Sequence, residues 1–468
     1  MERSAFAKRT NKLIGLLTIS ILLMIFLFSF YFNKNFLILI LALIIGMFIS
    51  FELLKRDKYL IGITIFSSLI LNFFEENLGF DKSITLILDY FIFLIAIKLF
   101  YLFINKKIKS NFINISILIF IIISLVGYFS NIPSAINYIK VLYFDYVRYF
   151  IICLAMIYFS FDNKYLIKLF KAIDIFILLQ IPIILFQLKK LEQNYTGGYV
   201  IQDYASGLLG GKSTAELGGI IIILFTISLI LFLNKKLSKK VFIINSILLV
   251  IISILSEIKF VLAMIPLMIF IVLIRKINLK SIMIFIVSLI LVFEAMNLIA
   301  TINPSFKNFF NKETLMSYIN HSYGGSGISR GNSMSVANDY IENDISTILI
   351  GNGIGSSTNS FNQKSEFGRN NMYYFRMFYW PYLFVENGYL GLLIIGSIYI
   401  AIIFYSLKIM KCKNKEKKYI GQIGIPLVVL LIFMNYYAMS MVKINFAVIA
   451  WCMIGIIART YYSIREEV

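Results

Sequence analysis

Few residues in this 468-residue chain could do chemistry, and they fall inside or beside long apolar runs. A charge in lipid costs about 2.5–3.5 kcal/mol on insertion scales, so charges kept in such places point to a task. Asp145 and Arg148 stand three apart, on one face of a helix. Lys212 and Glu216 precede an apolar run, Glu257 and Lys259 flank a tight turn, and Glu386 lies about one turn into a later run. The long polar segment ahead of Glu386 adds His321, Arg330, Arg369 and Arg376. A guanidinium stays charged and matches phosphate oxygens two at a time, so Arg148, Arg330 and Arg376 suit an anionic phosphate head. Glu386 and His321, the one histidine of the chain, are the candidates for moving a proton. Any single pair reads equally well as an ion pair near a membrane interface. Together they predict a polar cavity open to one side of the membrane.

Two glycine motifs do not alter this reading. The stretch Gly207-Leu208-Leu209-Gly210-Gly211-Lys212-Ser213 resembles a phosphate-binding loop, but Ser206 stands where the pattern needs glycine, and no buried strand precedes it. Gly351-Asn352-Gly353-Ile354-Gly355 lacks the third spaced glycine of a dinucleotide fingerprint and reads as a turn. Cys153, Cys412 and Cys452 show neither a disulfide framework nor metal-ligand spacing, and no metal or other cofactor is expected.

The elements that must position these residues are plain in the composition. The chain is 60% hydrophobic, 16% aromatic and 15% charged, with a mean hydropathy of +0.85. Soluble domains carry about 25% charged residues. Apolar runs of roughly 16–20 residues recur between short charged clusters, the pattern of helices spanning a bilayer, without the alternation that a barrel needs. The expected fold is therefore all-α and polytopic, with about fourteen spans: 13–32, 36–54, 59–74, 84–103, 112–129, 146–161, 172–187, 217–233, 241–256, 260–274, 281–300, 382–406, 420–440 and 444–463. The +20 net charge sits at every second loop, as the positive-inside rule requires, so nucleic acid is not expected as a partner. This alternation places both termini in the cytoplasm and the 301–381 segment outside. Three parts follow: membrane helices 1–11 over 1–300, one large extracytoplasmic loop over 301–381, and helices 12–14 over 382–468. Lys98 and Asp174 fall near the opposite, cytoplasmic ends, where snorkelling accounts for them.

Arg330 followed by Ile350-Gly351-Asn352-Gly353-Ile354-Gly355, then Val385-Glu386-Asn387-Gly388-Tyr389-Leu390-Gly391-Leu392 opening a span, resembles the O-antigen polymerase (Wzy-type) and O-antigen ligase superfamily. Gly210-Gly211-Lys212-Ser213-Thr214-Ala215-Glu216 and Ser256-Glu257-Ile258-Lys259 are similar to the earlier outer positions of its polymerases. The resemblance implies a metal-independent membrane glycosyltransferase acting on polyprenyl-diphosphate-linked oligosaccharides at the bacterial inner membrane, with room for a chain-length regulator. It carries catalytic roles to Arg330 and Glu386, and substrate contacts to Lys212, Glu216, Glu257 and Lys259. The stretch Arg376-Met377-Phe378-Tyr379-Trp380 lacks the histidine that ligases place there, which favours polymerase over ligase. A flippase for the same lipid-linked substrate is the rival from another class. It would need polar residues through the whole depth of the bundle.

Overall fold

The computed structural model describes residues 46, 49–131, 135–194, 205–210, 213–274, 279–302, 311–321, 328–341, 344–357 and 375–465. The expected span 13–32, most of 36–54, and the residues Lys212 and Arg369 lie outside these. Of the described residues, 85% are helical and none forms a strand. In chain order the helices are α1 Asp57–Leu78, α2 Leu86–Ile104, α3 Phe112–Asn131, α4 Ala135–Val141, α5 Arg148–Tyr158, α6 Asn163–Leu178 and α7 Gln180–Asn194. They continue with α8 Thr214–Leu233, α9 Lys239–Leu255, α10 Lys259–Leu273 and α11 Leu279–Ile302. The short helices α12 Lys312–Asn320, α13 Ser333–Tyr340 and α14 Ile345–Ile350 come next, then α15 Tyr379–Met410, α16 Lys415–Tyr437 and α17 Ile444–Arg465.

Among the described residues, nine helical stretches are long and apolar enough to cross a membrane. The helix Lys259–Leu273 is apolar but shorter. Apolar side chains such as Phe93, Ile122, Ile247, Leu393 and Ile400 are exposed on the outside of the bundle. In water such a surface would be unstable, whereas in lipid it is solvated. Helices α8 and α17 are the axis of the bundle: 83% of each apolar window is buried inside the protein. They pack against α10 and α16, and against α5 and α15. Close approach there depends on small residues. A Cβ on Gly219 would strike the Phe446 ring, and one on Gly455 would strike the Cys153 carbonyl and Met156.

Two departures from regular helix shape one end of the bundle. Residues Leu142–Val147, between α4 and α5, form a π-helical turn, a wider coil often found at functional sites. In α15, Gly388 takes φ 59° and ψ −162°, so the helix is two pieces, 379–387 and 389–410. The expected span at 382–406 is thus discontinuous. A Cβ at Gly388 would meet the Leu349 and Ile350 backbone, and Gly351, at φ 74°, comes equally close to Glu386 and Asn387. The turn after α14 therefore plugs the break in α15, and Asn352 N–H donates to the Val385 carbonyl at 2.8 Å. A second small core of Ile328, Ala337, Ile341, Phe378, Phe384 and Val385 seats α13 and α14 on the start of α15. Among the described residues of 301–381, α12, α13 and α14 are short helices, and α13 and α14 are held against α15.

Candidate functional site

The turn between α16 and α17, which includes a short 3-10 helix at Ser440–Val442, gathers the charged residues of one end. Arg330 Nε donates to the Tyr437 carbonyl at 3.3 Å, and its guanidinium lies 4.5 Å from the centre of the Tyr437 ring. Arg148 donates to the Tyr149 hydroxyl at 2.7 Å, which in turn donates to the Val442 carbonyl at 2.8 Å. Glu216, in the first turn of α8, is 3% exposed and interacts with Ser440 and Lys443. Phe260, directly after Lys259, packs on Tyr437 with ring centres 4.7 Å apart. Tyr379 N–H donates to the Ala438 carbonyl, tying the start of α15 to the same turn.

Arg376 and Glu386 form the second half of the site. Arg376 Nη2 lies 2.6 Å from Asp145 Oδ2, and the Tyr382 hydroxyl donates to the same oxygen at 2.7 Å. Burial opposes the charge of Arg376, but Tyr382, Asp145 and Glu386 around it hold the guanidinium protonated more firmly than usual. Glu386 is fully buried, and Ser357 donates to its Oε1 through Oγ–H at 2.6 Å and through its backbone N–H at 3.3 Å. Its charged neighbours are Arg376 and Asp145. The Gly355 backbone also bonds this carboxyl; among the described residues Oε2 has no geometric hydrogen-bond partner, nor do the Tyr146 hydroxyl, Asn352 Nδ2 or the amides of Asn137 and Asn387. Buried polar groups are nearly always paired, because leaving one unpaired costs about 1–3 kcal/mol. Several such groups lie on the elements around the 351–357 turn.

The structure brings several of the residues singled out above to one end of the bundle, with pairings that the spacing does not give. Asp145 and Arg148 do not bond to each other. Asp145 takes Arg376, while Arg148 reaches Asp89 at 3.9 Å. The π-helical turn between them is the cause, since its wider coil breaks the three-apart register that an α-helix would give. Glu257 and Lys259 do sit at a tight turn, with Glu257 at φ 50° and the Ser256 hydroxyl bonded to the Ala205 carbonyl at 2.6 Å. Both are half-buried, and Phe260, the residue after Lys259, packs on Tyr437. His321 caps the end of α12 and is exposed, whereas Glu386 is sealed within the bundle. The Gly331 N–H bond to the Ile319 carbonyl keeps that end of α12 beside the Arg330 turn. The glycines of 351–355 make a turn, with φ of 74°, 84° and 86° at Gly351, Gly353 and Gly355. Sequence reading missed Lys443, an exposed cation in the gathering turn, together with Asp89, Tyr149, Tyr382 and Ser357. Nothing in their spacing distinguished them from ordinary interface residues.

Comparison of the sequence with protein-family models and with curated proteins gives no match. Among the described residues no group of three or more His, Cys, Asp or Glu is placed to hold a metal ion. Among the described residues this end holds the guanidiniums of Arg148, Arg330 and Arg376, the ammonium of Lys443, and the buried carboxyls of Asp145, Glu216 and Glu386, of which Glu216 and Glu386 each have one oxygen that accepts no hydrogen bond there.

Proposed function

We propose that this chain polymerises polyprenyl-diphosphate-linked oligosaccharide repeat units into a surface polysaccharide. On this reading it works at the outer face of a bacterial inner membrane, with about fourteen spans, both termini in the cytoplasm and residues 301–381 outside. The observation that carries the reading is the gathering of Arg148, Arg330 and Arg376 at the same end of the bundle as the sealed Glu386. The contact between the 350–355 motif and the 385–391 motif supports it as well, because the resemblance to the polymerase superfamily rests on those two segments.

The chemistry follows from the residues. An acceptor sugar hydroxyl gives its proton to Glu386 as its oxygen attacks the reducing-end carbon of the donor sugar. The bond from that carbon to the diphosphate oxygen breaks, and polyprenyl diphosphate leaves with the bonding pair. The arginines neutralise charge that grows on the diphosphate, where fixed donors lower a barrier most. The interior of α8 speaks against the flippase. From Leu217 to Ile230 its buried residues are apolar except Thr226, which bonds the Ile222 carbonyl of its own helix, and Ser228, which accepts from Asn245. A path for a sugar through that depth would leave hydroxyls without partners.

The test is purified protein in liposomes with lipid-linked repeat units. A ladder of products is expected; a single transfer to another acceptor would mean ligase, and movement without reaction would mean flippase. In the same assay Arg330→Ala should slow chain formation about tenfold to a hundredfold, the worth of one charged hydrogen-bond donor. Unchanged chain formation would remove Arg330 from the mechanism. A reporter active only outside the cytoplasm, fused within 301–381, should be active. Silence there, with activity from the same reporter at the C-terminus, would invert the topology.

A further inference from the structure

Among the described residues, α11 joins the bundle by one side. Its Val292, Met296 and Ala300 pack with Leu262 of α10 and with Val250 and Ile254 of α9. The opposite side carries Met283, Val287, Ile290, Glu294 and Asn297, and all five are exposed. They recur at alternating steps of four and three residues, so they form one seam down the helix. The helix has 24 residues, about 36 Å of length against about 30 Å of hydrocarbon in a bilayer. With the excess shared between its ends, Glu294, eight residues before Ile302, sits about 9 Å inside the apolar layer. A lysine can snorkel outward from such a depth, but a glutamate is shorter. An acid held there and turned away from its own bundle calls for a hydrogen-bond donor, which lipid chains do not offer.

We infer that this seam is the contact between two copies of the chain. What favours a second copy is that the stripe holds both halves of a polar contact, the carboxyl of Glu294 and the amide of Asn297 one turn on. Copies inserted the same way are related by a two-fold axis along the membrane normal, so their α11 helices run parallel and each meets its counterpart. In a parallel pair with this spacing, the side chain at 294 inserts between 290, 294 and 297 of the other helix. Each Glu294 then accepts from Asn297 of the second copy, and the two amides offset the repulsion between the carboxyls. Met283, Val287 and Ile290 complete the seam. Apolar side chains alone give helices little reason to leave lipid for one another, whereas polar ones join them, and a polar position in such a seam also fixes its register. The inference needs α11 to cross the bilayer and stands apart from the reaction proposed above.

The experiment is oxidative cross-linking of the full chain in dilute proteoliposomes, with copper phenanthroline as the oxidant. Cys412→Ser removes the one native cysteine that is not buried. Ile290→Cys, on the seam, should then give a covalent dimer, and Ile247→Cys, exposed on α9, should give none. Adding Glu294→Leu to Ile290→Cys should cut the dimer about fivefold to tenfold, the worth of interhelical hydrogen bonds in lipid. Glu294→Gln, which can still accept, should keep most of it. Thermal unfolding of the Glu294→Leu chain should match that of the unaltered one, since this side chain faces away from its own bundle, so a smaller yield is not a folding defect. No dimer at Ile290→Cys, or as much at Ile247→Cys, would overturn the inference. So would an undiminished dimer with Glu294→Leu. A chain that stays single, and from which Glu294→Leu releases a different membrane protein, would give the seam to that partner and overturn it too.

Discussion

Replacing Arg376 with alanine is expected to destabilise the protein by about 2–4 kcal/mol and to abolish chain formation. Breaking a buried ion pair costs about 3–5 kcal/mol, mostly through the charge left behind. Here that charge is Asp145, whose side chain is 8% exposed, while Arg376 is itself 34% exposed, which lowers the loss somewhat. After the substitution Asp145 would keep, among the described residues, the Tyr382 hydroxyl. The second substitution Asp145→Asn removes the stranded charge, so the double variant should recover much of the stability yet stay inactive. Thermal unfolding of the detergent-solubilised proteins, set in a double-mutant cycle, separates the two effects. A single variant as stable as the unaltered protein would show that Arg376 and Asp145 are not coupled in the folded chain. Recovery of activity with recovery of stability would reduce Arg376 to a structural partner.

How far the sequence reveals this arrangement depends on what each residue's placement obeys. The helices were legible because apolar runs of spanning length leave the backbone no other way to satisfy its hydrogen bonds in lipid. Charged residues in or beside such runs stand out in the sequence for the same reason, since each is too costly to keep without cause. Pairing was not. Asp145 and Arg148 look like neighbours on one helical face, and only the π-helical turn at Leu142–Val147, which no local signal announces, sends them to different partners. The break at Gly388 was hidden too. Glycine occurs often in spanning helices, and what demands it here is the backbone of Leu349 and Ile350, about forty positions away in sequence. Lys443 escaped notice because a single lysine in a short turn is ordinary. Its electrostatic partner Glu216 meets it only in the folded chain.

Glu386→Gln is expected to lower the rate of chain formation by about 10²–10⁴-fold, the span that a positioned general base contributes, while leaving the fold intact. The argument turns on the two oxygens being in different situations. Oε1 accepts from the Ser357 hydroxyl and N–H, and a glutamine side-chain carbonyl can accept both bonds in the same place. The loop at 351–357 should therefore stay docked against the broken helix. Oε2 has no geometric hydrogen-bond partner among the described residues, and glutamine puts there an NH₂ group that cannot take a proton from a sugar hydroxyl. Loss of one negative charge leaves Arg376 with Asp145 at 2.6 Å, so the neighbouring pair is preserved. On the proposed reaction, donor binding, measured as retention of polyprenyl-diphosphate-linked oligosaccharide by the purified variant, should change little, because the arginines assigned to the diphosphate are untouched. Ser357→Ala offers the contrast: it strips the short hydroxyl bond from Oε1 but keeps the basic oxygen, so it should reduce activity far less than Glu386→Gln. If Glu386→Gln makes a normal ladder, the carboxylate is only a packing element between α15 and its plug, and the proton acceptor must be sought elsewhere at this end, with the exposed His321 beside the Arg330 turn as the first group to test.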